Sequence, residues 1–275
     1  MRNAIPLELV GRLKALIKRA ALEQSGLAAK GEDINLDTNG APGSDTQWVG
    51  NLYLHSLLYT DPAFGEILAA PKPLALIDTL LGRSALLASM GTHFKSMNGG
   101  ELPLHTDNGN GMIPPFRQIS EVANINYALV EYSREQGGLG MLPGSHLWCR
   151  RPNPGEAPLE TNPDVVAVDL HPGDCVVWHG NSWHGSFNRT VPGIRMNLAM
   201  LWNRQYIVTQ EDHSYIPDDV RERHADDQRL LNALGDKQAY GWRGDQTTAH
   251  PTTSVPRSTG PDYRKMGMGP QTLYD

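Results

Sequence analysis

The middle of the chain consists of short apolar or alternating runs, and this pattern constrains the fold more than any other feature of the sequence. After Gly82 the runs are ALLASMGTHF, EVANINYALVEY, GLGMLPG, VVAVDL, DCVVWHG and IRMNLAMLW, separated by Gly, Pro, Asn and Asp. Runs of this length between turn-forming residues are typical of strands in an antiparallel sandwich or barrel. We therefore predict a mostly β core without internal repeats.

Helical patterns precede this core. Apolar residues recur at helical spacing between Leu7 and Gln24, which predicts an amphipathic helix. The segment from Asp61 to Leu81 predicts a second helical region with a proline break, ended by Gly82.

The length of 275 residues is enough for one large domain and does not require two. We expect a helical N-terminal packing region over 1–82, a β core over 83–205, and a C-terminal helix and irregular tail over 206–275. The tail from Asp236 is rich in Gly, Pro, Thr and charge. Three interpretations of it stay open: disorder, an arm onto a partner subunit in a homodimer, or a lid over a pocket.

Composition excludes several classes of function. The net charge is -6, and Lys and Arg are scattered rather than clustered, so no nucleic-acid partner is expected. No apolar run approaches the roughly 20 residues that a membrane helix needs. The two cysteines, Cys149 and Cys175, fit a reducing compartment, and the first 25 residues lack the apolar core of a secretory signal. We therefore expect a cytoplasmic protein without a membrane partner.

The stretch LHTDNG places His105 and Asp107 two positions apart at the end of a predicted strand. Positions i and i+2 of a strand point to the same face, so the imidazole and the carboxylate can meet at one point. With one more histidine they would form the two-His-one-carboxylate triad that leaves three positions on Fe(II) open. The motif alone is weak evidence, because a short H-x-D more often contains a turn acid that caps backbone N–H groups.

A later segment offers the missing groups. His179 and His184 lie in a strand-turn-strand context, followed by the alternating run IRMNLAMLW. Alternation places Arg195 on the smaller, more polar face of this strand, opposite a face of large apolar residues. If the apolar face packs on helices, the guanidinium points into the barrel, where it needs an anion such as a carboxylate.

Three segments together resemble the phytanoyl-CoA dioxygenase family of Fe(II)/2-oxoglutarate-dependent oxygenases. They are LPLHTDNG, SREQGGLGMLPGSH and HGSFNRTVPGIR, and their order and spacing match the family from about Leu87 to Trp202. In that family the second iron-binding histidine precedes the cosubstrate-binding arginine by eleven residues, as His184 precedes Arg195 here. The resemblance implies a double-stranded β-helix, that is, a jelly-roll, cupin-like core.

The resemblance also implies roles for individual residues. His105, Asp107 and His184 would bind Fe(II), and Arg195 would pair with the C5 carboxylate of 2-oxoglutarate. Ser186 would add a hydrogen bond to the same carboxylate. His179 is a rival third ligand that we favour less.

Two further residues are candidates for binding the cosubstrate. Asn126 lies on the strand that faces it in the family and would bind its C1 end. Lys95 is a candidate anion contact, although a solvated surface lysine is the alternative that we favour.

The implied reaction consumes 2-oxoglutarate and O₂, releases succinate and CO₂, and hydroxylates a small, largely hydrophobic metabolite of secondary metabolism. Desaturation, epoxidation and rearrangement stay open, whereas Asp107 argues against halogenation, which in related enzymes needs Gly or Ala there. A CoA thioester is less expected, because few Lys or Arg lie near the pocket mouth. We predict that Asn108, Met112 and Phe116, which follow the H-x-D motif, line the substrate pocket.

Two alternatives remain. A cupin-type metal enzyme would share the architecture but not use 2-oxoglutarate, and HGSFN fits the end of the second cupin motif. HTDNGNG, however, lacks the second histidine and the glutamate of the first cupin motif. A non-catalytic binding protein with a vestigial site is the other alternative. Replacement of Arg195 discriminates the oxygenase from the cupin, and succinate release would exclude the binding protein.

Overall fold

In the residues that it describes, the structure, a computed structural model, has nine strands and five α-helices, with eight of the strands in succession between α3 and α4. The structure describes residues 1–42, 51–108, 112–213 and 216–235. The strands are β1 Asn51–Leu54, β2 Leu86–Lys95, β3 Leu102–His105, β4 Val122–Ala128, β5 Leu139–Met141, β6 Val166–Val168, β7 Cys175–His179, β8 His184–Ser186 and β9 Arg195–Asn203. The helices are α1 Leu7–Gln24, α2 Pro62–Leu68, α3 Pro71–Leu81, α4 Asp218–Arg223 and α5 Gln228–Ala233, with short 3₁₀ turns at Ala28–Lys30 and Ser145–Trp148.

The strands form two antiparallel sheets. The larger has the order β1-β2-β9-β4-β7 and the smaller the order β3-β8-β5-β6. Apart from β1–β2 and β5–β6, the neighbours in these sheets are not consecutive in the chain, which is the connectivity of a jelly roll rather than of a simple meander. The predicted mostly β, jelly-roll core with flanking helices is confirmed.

The helices form where the sequence predicted them. α1 spans the predicted residues and buries its apolar stripe, including Leu13 and Ile17. α2 begins at a proline after Asp61, whose carboxylate accepts a hydrogen bond from the Ala63 N–H at 2.9 Å. The predicted break falls at Ala70, because a second proline begins α3 directly after it.

The region over 1–82 also contains a strand that the sequence did not predict. β1 has four residues and, among the described residues, pairs with one end of β2 at the edge of the larger sheet. A run this short carries no periodicity that distinguishes it from a loop.

The main core lies between the larger sheet and the helices. The apolar face of β9, including Met196, Leu198 and Trp202, packs in one cluster with residues of α1, α2 and α3 such as Ile17 and Phe64. Because successive side chains alternate, the other face of β9 points between the two sheets. The predicted orientation of this strand is confirmed.

The C-terminal part of the chain is described only up to residue 235, where α4 and α5 pack by Val220 and Leu230 onto the main core. The predicted tail from Asp236 lies outside the described residues. None of the helices in the described ranges is long and apolar enough to cross a membrane.

Candidate functional site

His105, Asp107 and His184 come together at one edge of the smaller sheet. His105 ends β3, His184 begins the neighbouring β8, and the two are paired in register with ring centroids 4.3 Å apart. Asp107 Oδ1 lies 3.5 Å from His184 Nε2. One ligand atom from each residue lies within 4.8 Å of the others. The predicted triad is therefore assembled by the fold, whereas its role in metal binding stays a proposal.

Backbone carbonyls orient both imidazoles. His105 Nδ1 lies 2.9 Å from the Pro103 carbonyl oxygen, and His184 Nδ1 lies 3.1 Å from that of Ser182. A proton on Nδ1 satisfies each carbonyl and leaves the Nε2 lone pair for another partner, as is usual for metal-binding histidines. Burial lowers the pKa of His184, which favours the neutral ring that a metal requires, although the nearby Asp107 opposes the shift.

Asp107 is held by a tryptophan. Trp178 Nε1 donates a hydrogen bond of 2.8 Å to Asp107 Oδ2, and the indole ring packs 4.8 Å from the ring of His184. Oδ1 is thus the oxygen that faces His184 Nε2 and is left for a metal ion. Two neutral imidazole nitrogens and one carboxylate oxygen are a donor set that suits Fe(II), so the residues fit this ion.

Arg195 lies at the inner end of the same space. It is 5% exposed, its Nη1 donates to the Tyr132 hydroxyl at 3.1 Å, and its Nε has no hydrogen-bond partner among the described residues. No carboxylate lies within ion-pair distance of it in the part of the chain that the structure describes. A buried charge in this state is costly, so the site favours an anionic ligand.

Lys95 is paired in register with Arg195, and the preferred interpretation of a solvated surface lysine is wrong. The residue is 3% exposed, and its ammonium donates to the Ser186 hydroxyl at 2.7 Å and to the carbonyls of Gly100 and Phe187 at 2.8 and 2.9 Å. Burial, and then the charge of Arg195, lower the pKa of Lys95 to about 7. These bonds direct Lys95 toward the protein rather than toward the cavity.

A cavity of about 180 Å³ connects the triad with Arg195. Ser186 and Asn126 also line it, and the Asn126 Oδ1 is buried without a hydrogen-bond partner among the described residues. The Ser186 hydroxyl accepts from Lys95, so its own proton is available to a ligand. Both residues therefore line the same cavity as Arg195, and their contacts with the cosubstrate stay a prediction. The ammonium of Lys95 holds the Ser186 hydroxyl in place.

The three predicted substrate residues lie outside the described lining of this cavity. Asn108 is fully buried and donates to the side chain of Asn181. Phe116 is buried with the Arg151 guanidinium 5.9 Å from its ring, and Met112 packs on a small cluster that includes the cavity residue Leu201. Residues 109–111 of the same loop are outside the described ranges.

His179, the rival ligand, is not part of the triad. Its Nδ1 accepts a hydrogen bond from the Asn181 N–H at 3.1 Å, and its Nε2 lies 3.1 Å from the Gln118 carbonyl. Both ring nitrogens therefore have protein partners, and the three-residue cluster contains His184 instead.

Several residues that line the cavity were not assigned to it from the sequence, among them Tyr53, His93, Asn124 and Trp178. For β2 and β4 a signal was present, because polar residues recur at every second position in ASMGTHFK and VANINYA. For Tyr53 there was no such signal, since β1 was not predicted.

A histidine pair and a carboxylate on a jelly roll define the class of non-haem iron oxygenases. The chain belongs to the phytanoyl-CoA dioxygenase family, whose model matches residues 12–197. The match includes the triad and Arg195, and the predicted family is confirmed. The family is one of Fe(II)/2-oxoglutarate-dependent dioxygenases, which are oxidoreductases.

Curated relatives are fungal dioxygenases. The chain is 27% identical over 193 residues to dioxygenase andF of Emericella variicolor, covering 66% of this chain and 62% of that protein. It is 23% identical over 261 residues to dioxygenase olcK of Penicillium canescens, covering 88% and 76%. The chain thus covers less than two thirds of the length of andF.

Solved structures share the fold at low identity. HygX from Streptomyces hygroscopicus, solved with nickel and 2-oxoglutarate, has a TM-score of 0.57 at 14% identity over 80% of this chain and 88% of its own. SnoN, an α-ketoglutarate-dependent epimerase of nogalamycin biosynthesis, has a TM-score of 0.52 at 19% identity over 74% of this chain and 77% of its own.

Proposed function

We propose that the protein is an Fe(II)/2-oxoglutarate-dependent dioxygenase that oxidises an unactivated C–H bond of a small, largely hydrophobic metabolite and releases succinate and CO₂. The observation that carries the proposal is the joint position of the triad and of a buried arginine without a carboxylate partner among the described residues. The arginine needs a carboxylate, and 2-oxoglutarate supplies one at the end remote from its metal-chelating group.

Each side chain has a defined task in this proposal. His105, Asp107 and His184 would hold Fe(II) on one side. Fe(II) bound there supplies the site at which 2-oxoglutarate and O₂ react. Arg195 would hold the C5 carboxylate by two parallel hydrogen bonds, with Ser186 donating a third.

Other residues would position the cosubstrate and keep the site dry. Asn126 would orient the C1 end of 2-oxoglutarate through its amide. The buried Trp178 holds Asp107 and excludes water from one side of the triad.

The kind of substrate is supported by solved neighbours. HygX has been crystallised with hygromycin B, and SnoN with nogalamycin RO, so both proteins bind small molecules. Hydroxylation is the outcome we propose, because Asp107 leaves no ligand position for a halide. Asn108, Met112 and Phe116 stay predicted pocket residues. Alanine at Met112 or Phe116 is expected to change substrate affinity more than iron content.

Replacement of Arg195 tests the proposal against the cupin alternative. Succinate formation from 2-oxoglutarate is measured with Fe(II) and O₂ across a panel of small metabolites. Arg195→Gln removes a charge-assisted pair worth about 3 kcal/mol, so the KM for 2-oxoglutarate should rise on the order of a hundredfold. Arg19→Gln, at an exposed position of α1, is the matched control and should leave KM unchanged. Equal KM values in both variants, or no succinate from the wild type, would contradict the proposal.

A further inference from the structure

Three buried cations lie together at the inner end of the cavity. Lys95, Arg189 and Arg195 are 3%, 6% and 5% exposed. Lys95 is paired in register with Arg195, and a Cβ on Gly137 would lie 3.0 Å from the side chains of both Lys95 and Arg189. All three donate to carbonyl or hydroxyl oxygens, and none forms an ion pair with a carboxylate in the described part of the chain. Because buried like charges repel each other, the cluster favours loss of a proton from its most acidic member, the lysine.

The charged groups around Lys95 leave its charge state open near neutral pH. Burial, and then the charge of Arg195, lower the pKa of Lys95 to about 7. Glu160 and Glu101 raise this pKa, but their carboxylates accept hydrogen bonds from backbone N–H groups rather than from the ammonium. His93, on the same strand, is neutral, because burial above all lowers its pKa to about 3. Both the charged and the neutral form of Lys95 are therefore populated near pH 7.

The charge of Lys95 decides which way the Ser186 hydroxyl donates. An ammonium has three donors and no lone pair, and Lys95 Nζ lies 2.7 Å from the Ser186 hydroxyl and 2.8 and 2.9 Å from the carbonyl oxygens of Gly100 and Phe187. Ser186 Oγ then accepts, and its own proton is free to donate into the cavity. A neutral amine has two donors, which the two carbonyls take, and one lone pair, to which the Ser186 hydroxyl donates. In that state Ser186 presents only lone pairs to the cavity.

An anion on Arg195 is in a position to sense this difference. Arg195 and Ser186 both line the cavity, whereas Lys95 is not part of its described lining. Lys95 links the two, because it hydrogen-bonds Ser186 and its Cα lies about 4.5–5.5 Å from that of its register partner Arg195. A carboxylate on Arg195 is attracted by a donated Ser186 proton and by the ammonium behind it, and is repelled by hydroxyl lone pairs. The protein with a charged Lys95 therefore binds the anion more tightly.

We propose that Lys95 is a positioning residue whose proton turns the Ser186 hydroxyl toward the C5 carboxylate of 2-oxoglutarate, so that the cosubstrate binds together with a proton. A ligand that prefers the protonated protein draws a proton onto it, and its affinity falls as pH rises. Arg195 alone would give no such dependence, because a guanidinium stays protonated. The inference rests on the proposed function and deepens it, because it makes capture of the cosubstrate sensitive to pH.

Titration calorimetry measures the proton uptake directly. The full chain with Ni(II) is titrated with 2-oxoglutarate at pH 8 in HEPES and in TAPS, whose ionisation enthalpies differ. We expect an uptake of about 0.5–0.9 proton per cosubstrate bound, because Lys95 in the free protein is mostly neutral at this pH. At pH 6, where Lys95 is already charged, the uptake should fall below about 0.2. The dissociation constant should rise about tenfold between pH 6.5 and 8.5.

Replacement of the lysine assigns the proton. Lys95→Met has an unbranched neutral side chain, so it should bind 2-oxoglutarate weakly at both pH values and take up less than about 0.2 proton at pH 8. Lys72→Met, at an exposed position of α3, is the matched control and should keep the wild-type uptake. Wild-type uptake in Lys95→Met would overturn the inference, as would an uptake below about 0.2 proton in the wild type at pH 8.

Ser186→Ala tests the path through the hydroxyl and decides the matter if Lys95→Met does not fold. Loss of a hydrogen bond to a charged acceptor should weaken 2-oxoglutarate binding about tenfold at pH 6.5. At pH 9 the wild-type hydroxyl donates to Lys95 instead, so the same variant should weaken binding less than about threefold. A purely structural role of Ser186 would cost the same affinity at both pH values, and that result would overturn the inference.

A failure of the proposed function has a different signature. Absence of 2-oxoglutarate binding to the wild type at pH 6.5 with Ni(II) would overturn the proposed function and the inference together. Binding without proton uptake would overturn the inference alone.

Discussion

Replacement of Trp178 by phenylalanine should weaken metal binding about tenfold to a hundredfold. The variant keeps an aromatic ring against His184 but loses the N–H that donates to Asp107 Oδ2 at 2.8 Å. A hydrogen bond to a charged acceptor contributes about 1.5–3 kcal/mol, and each 1.4 kcal/mol is about a factor of ten in affinity. Trp178 is 5% exposed, so water has little access to replace the lost donor. Without it, Asp107 is free to rotate or to present both oxygens.

The assay is an anaerobic titration with Fe(II) in the presence of 2-oxoglutarate, followed by visible absorbance. Trp148→Phe is the matched control, because this tryptophan is 47% exposed and packs on Trp183 rather than on the triad. The control should bind Fe(II) like the wild type. A dissociation constant for Trp178→Phe within twofold of the wild type, with an unchanged circular dichroism spectrum, would refute the role of the indole N–H.

Further predictions concern stability and are measured by urea unfolding. Asp174→Ala should cost about 3 kcal/mol, because it removes the acceptor for Arg2 at 2.5 Å and for two backbone N–H groups. Burial raises the pKa of Asp174 and these hydrogen bonds lower it, and the net change is a lowering. The stabilisation of the folded state by Asp174 is therefore fully present above the unfolded pKa of about 3.9, and it is lost as pH falls through the folded pKa. Gly185→Ala should cost about 1–3 kcal/mol and weaken metal binding, since its Cβ would collide with the Leu102 carbonyl oxygen and push β3 from β8. The free energy of unfolding of the wild type should rise between pH 7 and about 10, because over this range folded Lys95 has lost a proton that the unfolded chain retains. Lys95→Met should abolish this rise. Unfolding free energies that match the wild type, or for Lys95→Met an unchanged pH slope, would contradict these three expectations.

Local periodicity made the framework predictable. The spacing of apolar residues was enough to predict α1 and the two faces of β9. In both elements one face is buried along its whole length, so the apolar residues recur regularly. The choice of His105, Asp107 and His184 came from the resemblance to the family, and the structure brings them together because β3 and β8 are paired at one sheet edge.

Tertiary contacts decided what the sequence could not predict. Lys95 donates to the carbonyls of Gly100 and of Phe187, which directly follows β8, and these groups meet only in the fold. Its charge alone therefore wrongly indicated a surface position. Asn108 and Phe116 follow the H-x-D motif in sequence and are buried in packing contacts outside the described lining of the cavity, so their role in a substrate pocket stays a prediction. Tyr53 enters the cavity from an edge strand too short to show alternation.

The central claim is that the triad binds Fe(II) while Arg195 anchors 2-oxoglutarate on it. Anaerobic addition of Fe(II) and then 2-oxoglutarate tests both parts at once, because the chelate gives a weak visible metal-to-ligand charge-transfer band. We predict a band that saturates at one equivalent of each, is absent in His184→Ala, and needs far more 2-oxoglutarate in Arg195→Gln. A wild-type protein that develops no band under these conditions would contradict the account.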